Sequence, residues 1–374
     1  MLSAEEELWV CALTLCLRYE GGLARRLYDC YGSAQSVFKQ PLEILAGHKG
    51  MRRSLVEKLS DPDLPNQATR TVTWLKSKKV RTVFLYDPSY PYRLRECPDA
   101  PLVLYAAGET EMNDVRVLSV VGTRRATPYG EAQCRDILSG LAELGLKPVI
   151  VSGLAFGIDV TAHKAALENS LPTVAVLPTG IDAIYPASHR DLAVEIAKKG
   201  MVISEFPPDT QGNKKNFLQR NRIIAGISDA TLVVESAADG GALITAHLAS
   251  GYARDVLAVP GRTTDLRSQG CNNLIKENKA ALVTCARDVA EMLQWDIPSE
   301  DPIAIQQTLF EILDEKEKQI LSQIQETGGD INSLAEKLDI PFPRLSALLT
   351  QLQVKGIIEC QENKEFRWRF SKNI

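Results

Sequence analysis

Residues 211–222 concentrate four cations around one ring. Lys214, Lys215, Arg220 and Arg222 flank Phe217, and no acid interrupts them. Cationic side chains neutralise phosphates, and an aromatic ring offers a face on which any base can stack; together they suit sequence-tolerant binding of a single polynucleotide strand. The same stretch also reads as a solvated helix start with Phe217 turned into the core. A second set of residues follows three apolar runs: Gly122-Thr123-Arg124-Arg125, then 152–159 (SGLAFGID, opening with Ser152 and Gly153), then Pro178-Thr179-Gly180. Glycines there let a backbone approach an oxyanion, and a helix that starts next presents unpaired N–H groups. Each loop alone reads equally as a tight turn. Several on one edge, with Arg124 and Arg125 at the first, favour an anion site.

Other chemistries find less support. His163 follows Asp159 by four residues, so the two share a helix face. With no third ligand at a visible spacing, a capping Asp and a buried or hydrogen-bonded His are expected in place of a catalytic pair or a metal site. His189 and His247 stand alone. The first loop is G-T-R-R-A-T, unlike G-x-G-x-x-G, and no G-x-x-x-x-G-K-[ST] occurs, so neither a dinucleotide nor an NTP cofactor is indicated. A sugar-phosphate polymer remains.

The elements that must position these residues follow from hydrophobic pattern. From Val115 onward, short β-branched runs (VRVLSVVG, PVIVSG, TVAVLP, GMVISE, ATLVVES, DVLAVPG and ALVT) alternate with helical stretches. Strands that are apolar throughout imply a parallel sheet covered on both faces, hence a doubly wound α/β domain over residues 80–296. Ligands in such sheets bind at the carboxyl ends of the strands, where the glycine loops sit. Residues 1–75 read as short helices broken by glycines, followed by the apolar run TVFLY and a proline-rich connector. Residues 305–374 read as three helices and a closing hairpin.

The formal net charge of −4 does not announce a nucleic-acid partner, so an anion site has to be a local patch. Eight scattered cysteines show no zinc-module spacing and are expected as reduced thiols. The acidic opening MLSAEEELWV is the wrong flank for a signal peptide, and no apolar run nears the ~20 residues that span a bilayer. A cytoplasmic protein with no membrane contact is expected.

The ordered series SVVGTRRATPYG, VSGLAFGIDVTAHKAAL, TVAVLPTGIDAIYP, ISEFPP, NFLQRNRIIAGISDATLVVE, GGALITAHLA and VLAVPG…SQGCNNLIKENKA closely resembles the DprA/Smf family. The resemblance implies an extended Rossmann-like core that binds single-stranded DNA, forms a homodimer and loads a RecA-type recombinase onto DNA during natural transformation, without performing chemistry. It also implies a SAM-like or helix-hairpin-helix-like N-terminal module and a C-terminal winged helix. The family's first-loop arginine corresponds to Arg124, its phenylalanine to Phe217, and its lysine to Lys214 or Lys215. Arg220, Asn221 and Arg222 match an R-N-R element that either meets DNA or braces the fold. The expected nucleic-acid site is thus Gly122, Thr123, Arg124, Arg125, Ser152, Gly153, Lys214, Lys215, Phe217, Arg220, Asn221 and Arg222.

Elsewhere, Arg25, Arg26, Arg52 and Arg53 near glycine turns leave room for a secondary DNA contact. The third helix of the expected winged helix offers only Arg344 and Lys355 as cations, which suits a protein partner better, although Arg367 and Arg369 on the hairpin speak for DNA. The strongest rival is an enzyme of the related group that cleaves N-glycosidic bonds of nucleoside monophosphates through a P-G-G-x-G-T-x-x-E element. Here the acid after Gly240-Gly241 is missing, and Glu235 is a substitute in principle. A nucleotide sensor using the same loops is a second rival.

Overall fold

Continuous buried runs pair into one sheet in the computed structural model, which describes residues 3–17, 20–298, 315–327, 329–354, 358–360 and 365–368. The strands are β1 (Arg81–Phe84), β2 (Val103–Gly108), β3 (Val117–Val121), β4 (Val149–Ser152), β5 (Thr173–Val176), β6 (Met201–Ser204), β7 (Ala230–Val233), β8 (Asp255–Ala258) and β9 (Ala281–Leu282). Their spatial order is β1-β2-β6-β5-β4-β3-β7-β8-β9. From β6 through β9 all neighbours are parallel, with Val151 opposite Val174 and Val120 opposite Leu232. β2 runs antiparallel to β6, and β1 antiparallel to β2. The mainly parallel α/β sheet expected from the apolar runs is therefore present. It is extended by an antiparallel pair, of which β2 had no counterpart in the sequence reading.

Alternation along β3 explains the two-sided cover. Val117 and Val121 face one core, which includes α11 (Lys214–Gly226) and α12 (Gly241–Gly251). Leu118 and Val120 face the other, which includes α8 (Pro128–Glu143), α9 (Ile158–Glu168) and α14 (Ala286–Met292). With both faces buried, neither set of side chains can be polar without a partner. Ser119 obeys this rule by donating to the Ile224 carbonyl at 2.6 Å.

The chain divides into two units, residues 1–297 and 298–374. In the first, the N-terminal helices from Ala4–Cys16 to Leu64–Ser77 share one continuous core with the sheet, where Leu13, Leu27 and Leu75 belong with Val83, Leu104 and Val121. The helical segment therefore does not enclose a core of its own. Its arginines are also occupied: Arg25 donates to the Arg95 and Cys97 carbonyls, Arg26 to the Lys49 carbonyl, and Arg52 and Arg53 pair with Glu20 and Glu57.

The second unit has helices Glu315–Thr327, Ile331–Leu338 and Phe342–Val354 around Leu321, Leu334 and Leu349, with a small antiparallel sheet. That sheet pairs Glu365–Trp368 with both Gly329–Asp330 and Ile358–Cys360. Lys355 and Arg369 lie outside the described residues. Among the described residues no helix is long and apolar enough to cross a membrane.

Candidate nucleic-acid interface

β3 is the turning point of the sheet. The chain leaves it toward β4, β5 and β6, then returns through α11 to the opposite flank of β3 as β7. At such a switch point the loops after the two central strands diverge and open a crevice at their carboxyl ends. A cavity of about 650 Å³ lies there, bounded by Gly122, Thr123 and Arg124 after β3, by Ala237, Gly240 and Gly241 after β7, and by α11.

The face that α11 turns to this groove follows from helical spacing. Lys214, Phe217, Leu218, Asn221 and Ile224 line it, an i, i+3, i+4, i+7, i+10 stripe. The helix begins where it does because Asn213 accepts from the Asn216 N–H at 3.0 Å, which sets Lys214 on the first turn. Across the groove, the Arg124 guanidinium lies 4.8 Å from the centre of the Phe217 ring. Tyr185, from the segment after β5, meets the same ring in a T-shaped contact at 5.2 Å and 75°. The result is a cation over a half-buried ring, with exposed Arg124 and Lys214 as positive charges lining the same groove.

The first loop is held from beneath. Glu235 is buried, and its carboxylate accepts from the Thr127 backbone N–H and hydroxyl at 2.9 Å each, while its carbonyl accepts from the Thr123 N–H at 2.7 Å. Both carboxylate oxygens are thus engaged in positioning the Arg124 loop, which leaves Glu235 badly placed to replace the acid that a glycosidic-bond enzyme requires. Asp159 is not the expected cap of α9 but lies in its first turn, where its carboxylate accepts from the Ala155 N–H at 3.4 Å. His163 Nδ1 lies 2.7 Å from the Thr173 hydroxyl, and burial, reinforced by Arg220, pushes the imidazole pKa down to about 3. Burial raises the Asp159 carboxyl, with Arg220 pulling it back. A neutral, buried ring is a core histidine.

Several residues expected at the site are elsewhere. Ser152 is fully buried and donates to the Val120 carbonyl at 2.7 Å, tying β4 to β3. Gly153 is filled from within: a methyl group there would stand 1.6 Å from Arg220 Nη1. Arg220 itself is buried, donates to the Val176 carbonyl at 2.8 Å, and is pushed down to about 10 by burial despite Asp159. Its guanidinium therefore closes the loop after β4, although part of the side chain borders the groove. Arg222 points the opposite way on α11, in a buried pair with Glu205, and donates to the Asp99 carbonyl at 2.6 Å. Of the R-N-R element, only Asn221 belongs to the groove stripe. Arg125 and Lys215 are exposed but do not line the groove, so Arg124 and Lys214 are the cations that do so with exposed side chains.

Gly122, too, serves the protein's own packing, since a Cβ there would meet Ile158 at 2.5 Å. The sequence reading missed Tyr185, Leu218 and the Gly240-Gly241 entry to α12. The glycine pair ahead of an apolar helix was the available signal for the last of these, and Tyr185 gave none beyond its type.

The profile of the family described as DNA recombination-mediator protein A matches residues 81–294, more than half of the chain. This chain belongs to the DprA/Smf family. The stretch that matches the DprA/Smf profile contains all nine strands of the large sheet and the whole groove, including the antiparallel pair β1 and β2. A DNA processing protein of Mycobacterium tuberculosis is 35% identical over 331 residues, covering 87% of this chain and 83% of the relative. The crystal structure of DNA processing protein A from Streptococcus pneumoniae is similar with a TM-score of 0.67 at 32% identity, over 78% of this chain and 98% of that one. DNA processing protein A from Helicobacter pylori, whose structure was described for its single-stranded DNA binding mode, gives a TM-score of 0.52 at 30% identity, over 59% of this chain and 97% of that one.

Proposed function

We propose that the groove between the β3 loop and α11 binds single-stranded DNA, and that the protein hands the bound strand to a RecA-type recombinase during natural transformation without altering it chemically. The observation that carries this reading is the Arg124 guanidinium over Phe217, with Lys214 one turn earlier on the same helix face. Arg124 and Lys214 would take phosphates, and the Phe217–Tyr185 pair would take a base. Phosphates and base π-faces are common to every nucleotide, so contacts of these two kinds would make binding largely indifferent to sequence. The single-strand binding described for the Helicobacter pylori relative supports the ligand, and the family's description as a recombination mediator supports transfer to a recombinase. The strand order on either side of β3 supports an extended Rossmann-like core, and the three helices with a small sheet support a winged helix suited to a protein partner. A cytoplasmic homodimer completes the reading.

Titration of fluorescent oligothymidine tests it. Arg124→Ala and Phe217→Ala are each expected to lower affinity by about 1–3 kcal/mol, roughly 5- to 150-fold, with unchanged thermal melts. Affinity should fall with added salt, and Arg124→Ala should flatten that dependence by about one counterion. Parent-like binding by both variants across salt concentrations would discard the groove.

A further inference from the structure

We infer that a strand occupying the groove continues over a second aromatic step made by Phe156 and His189, so that the protein engages more nucleotides than the groove alone holds. The inference rests on the groove being a single-strand site and deepens that reading.

Phe156 belongs to the loop after β4, immediately beyond Ala155, which lines the groove. Its side chain is 48% exposed although it is a large hydrocarbon ring. It is not loose: the ring meets His189 edge-on at 5.0 Å and 70°. His189 is fixed in turn, its Nδ1 lying 2.8 Å from the carbonyl of fully buried Leu154. That bond makes Nδ1 the donor and leaves the face and Nε2 edge of the imidazole turned from the backbone.

One short segment links this pair to the groove. Tyr185, 47% exposed, packs edge-on against Phe217, and His189 four residues later packs edge-on against Phe156. Two T-shaped ring pairs are thus carried along the carboxyl edge of the sheet, one inside the cation-lined cavity and one just beyond it. A single exposed ring is ordinary on a protein surface. Two held ring pairs continuing from an anion-binding cavity are what successive bases need, because a base stacks on any π-face while its phosphate stays at the rim.

Length dependence tests the step. Against oligothymidine of about 5 nucleotides, Phe156→Ala should bind like the parent, whereas against about 15 nucleotides it should lose about fivefold or more in affinity, and Phe156→Trp should restore it. Arg124→Ala should weaken both lengths, which separates the step from the groove. As a second readout, 2-aminopurine placed at successive positions of the long strand should be quenched at an outer position in the parent and not in Phe156→Ala. Parent-like binding of the long strand by Phe156→Ala, or equal losses at both lengths, overturns the step while leaving the groove standing if Arg124→Ala is weakened. Parent-like binding of both lengths by Arg124→Ala removes the groove and the step with it.

Discussion

Gly153 and Gly241 stand on the same edge of the sheet, the first after β4 and the second after β7, and the sequence put only Gly153 among the expected ligand contacts. Around Gly153 the space a side chain would need is taken by the Arg220 guanidinium, which is anchored on the Val176 carbonyl. Around Gly241, at the first turn of α12, a Cβ would meet nothing within 4 Å, and the residue lines the groove. A glycine at a strand end therefore reports that something comes close, without saying whether it is the protein itself or a ligand. The β4 loop fills the space beside its glycine with the protein's own side chain, and the β7 loop leaves that space facing the cavity.

Removing the internal occupant should have the largest effect. Arg220→Ala is expected to cost about 3 kcal/mol in urea unfolding, because it opens a cavity under Gly153, orphans the Val176 carbonyl and leaves Asp159 buried without its cation. A variant within about 0.5 kcal/mol of the parent would mean that Arg220 is not a brace. Gly153→Ala should follow at about 2 kcal/mol, since the anchored guanidinium has to be displaced to admit a methyl group. The next effect is in pH. Behind the same loop His163 is neutral in the fold, with its pKa depressed from 6.5 to about 3, while in the unfolded chain it takes up a proton below about 6.5. Stability is thus fully present above that value and is lost as pH falls toward 3, by about 2 kcal/mol between pH 7 and pH 5. A His163→Gln variant should show a correspondingly shallower loss over that interval in chemical denaturation. Gly241→Ala should produce the smallest change, within about 0.5 kcal/mol of the parent, since the methyl group meets no protein atom. A large loss there would erase the contrast between the two loops.

Most of the parallel strands were legible because they are apolar runs, several of them closed by Gly or Pro, as burial on both faces requires. β2 carries the same signature in Val103–Gly108, but the prolines at 88, 91, 98 and 101 ahead of it dominated the reading, and prolines mark chain direction more than they forbid a strand beyond them. Residue type and loop position pointed to Arg124 and Arg125 together and left Phe217 between groove and core; the resemblance to the DprA/Smf family singled out Arg124 and Phe217, and both line the groove. Arg220 and Arg222 could not be assigned by composition: each is a cation in a basic stretch, and each is bound to partners far away in sequence, Val176 and Asp159 for one, Glu205 and Asp99 for the other. Helical periodicity alone would have separated Arg222 from the 214, 217, 221 face. The Phe156–His189 and Tyr185–Phe217 pairs were invisible because their members come from three separate segments, the loop after β4, the stretch after β5 and α11.

One helix thus carries both the groove stripe and the two anchored guanidiniums. Riveted to the core on its inner side, α11 presents Phe217 and Lys214 from a scaffold that has already surrendered its conformational freedom during folding. For the proposed strand this means that the entropic penalty of association falls almost wholly on the polynucleotide, so a strand stiffened in advance would gain affinity where a stiffer protein would gain little.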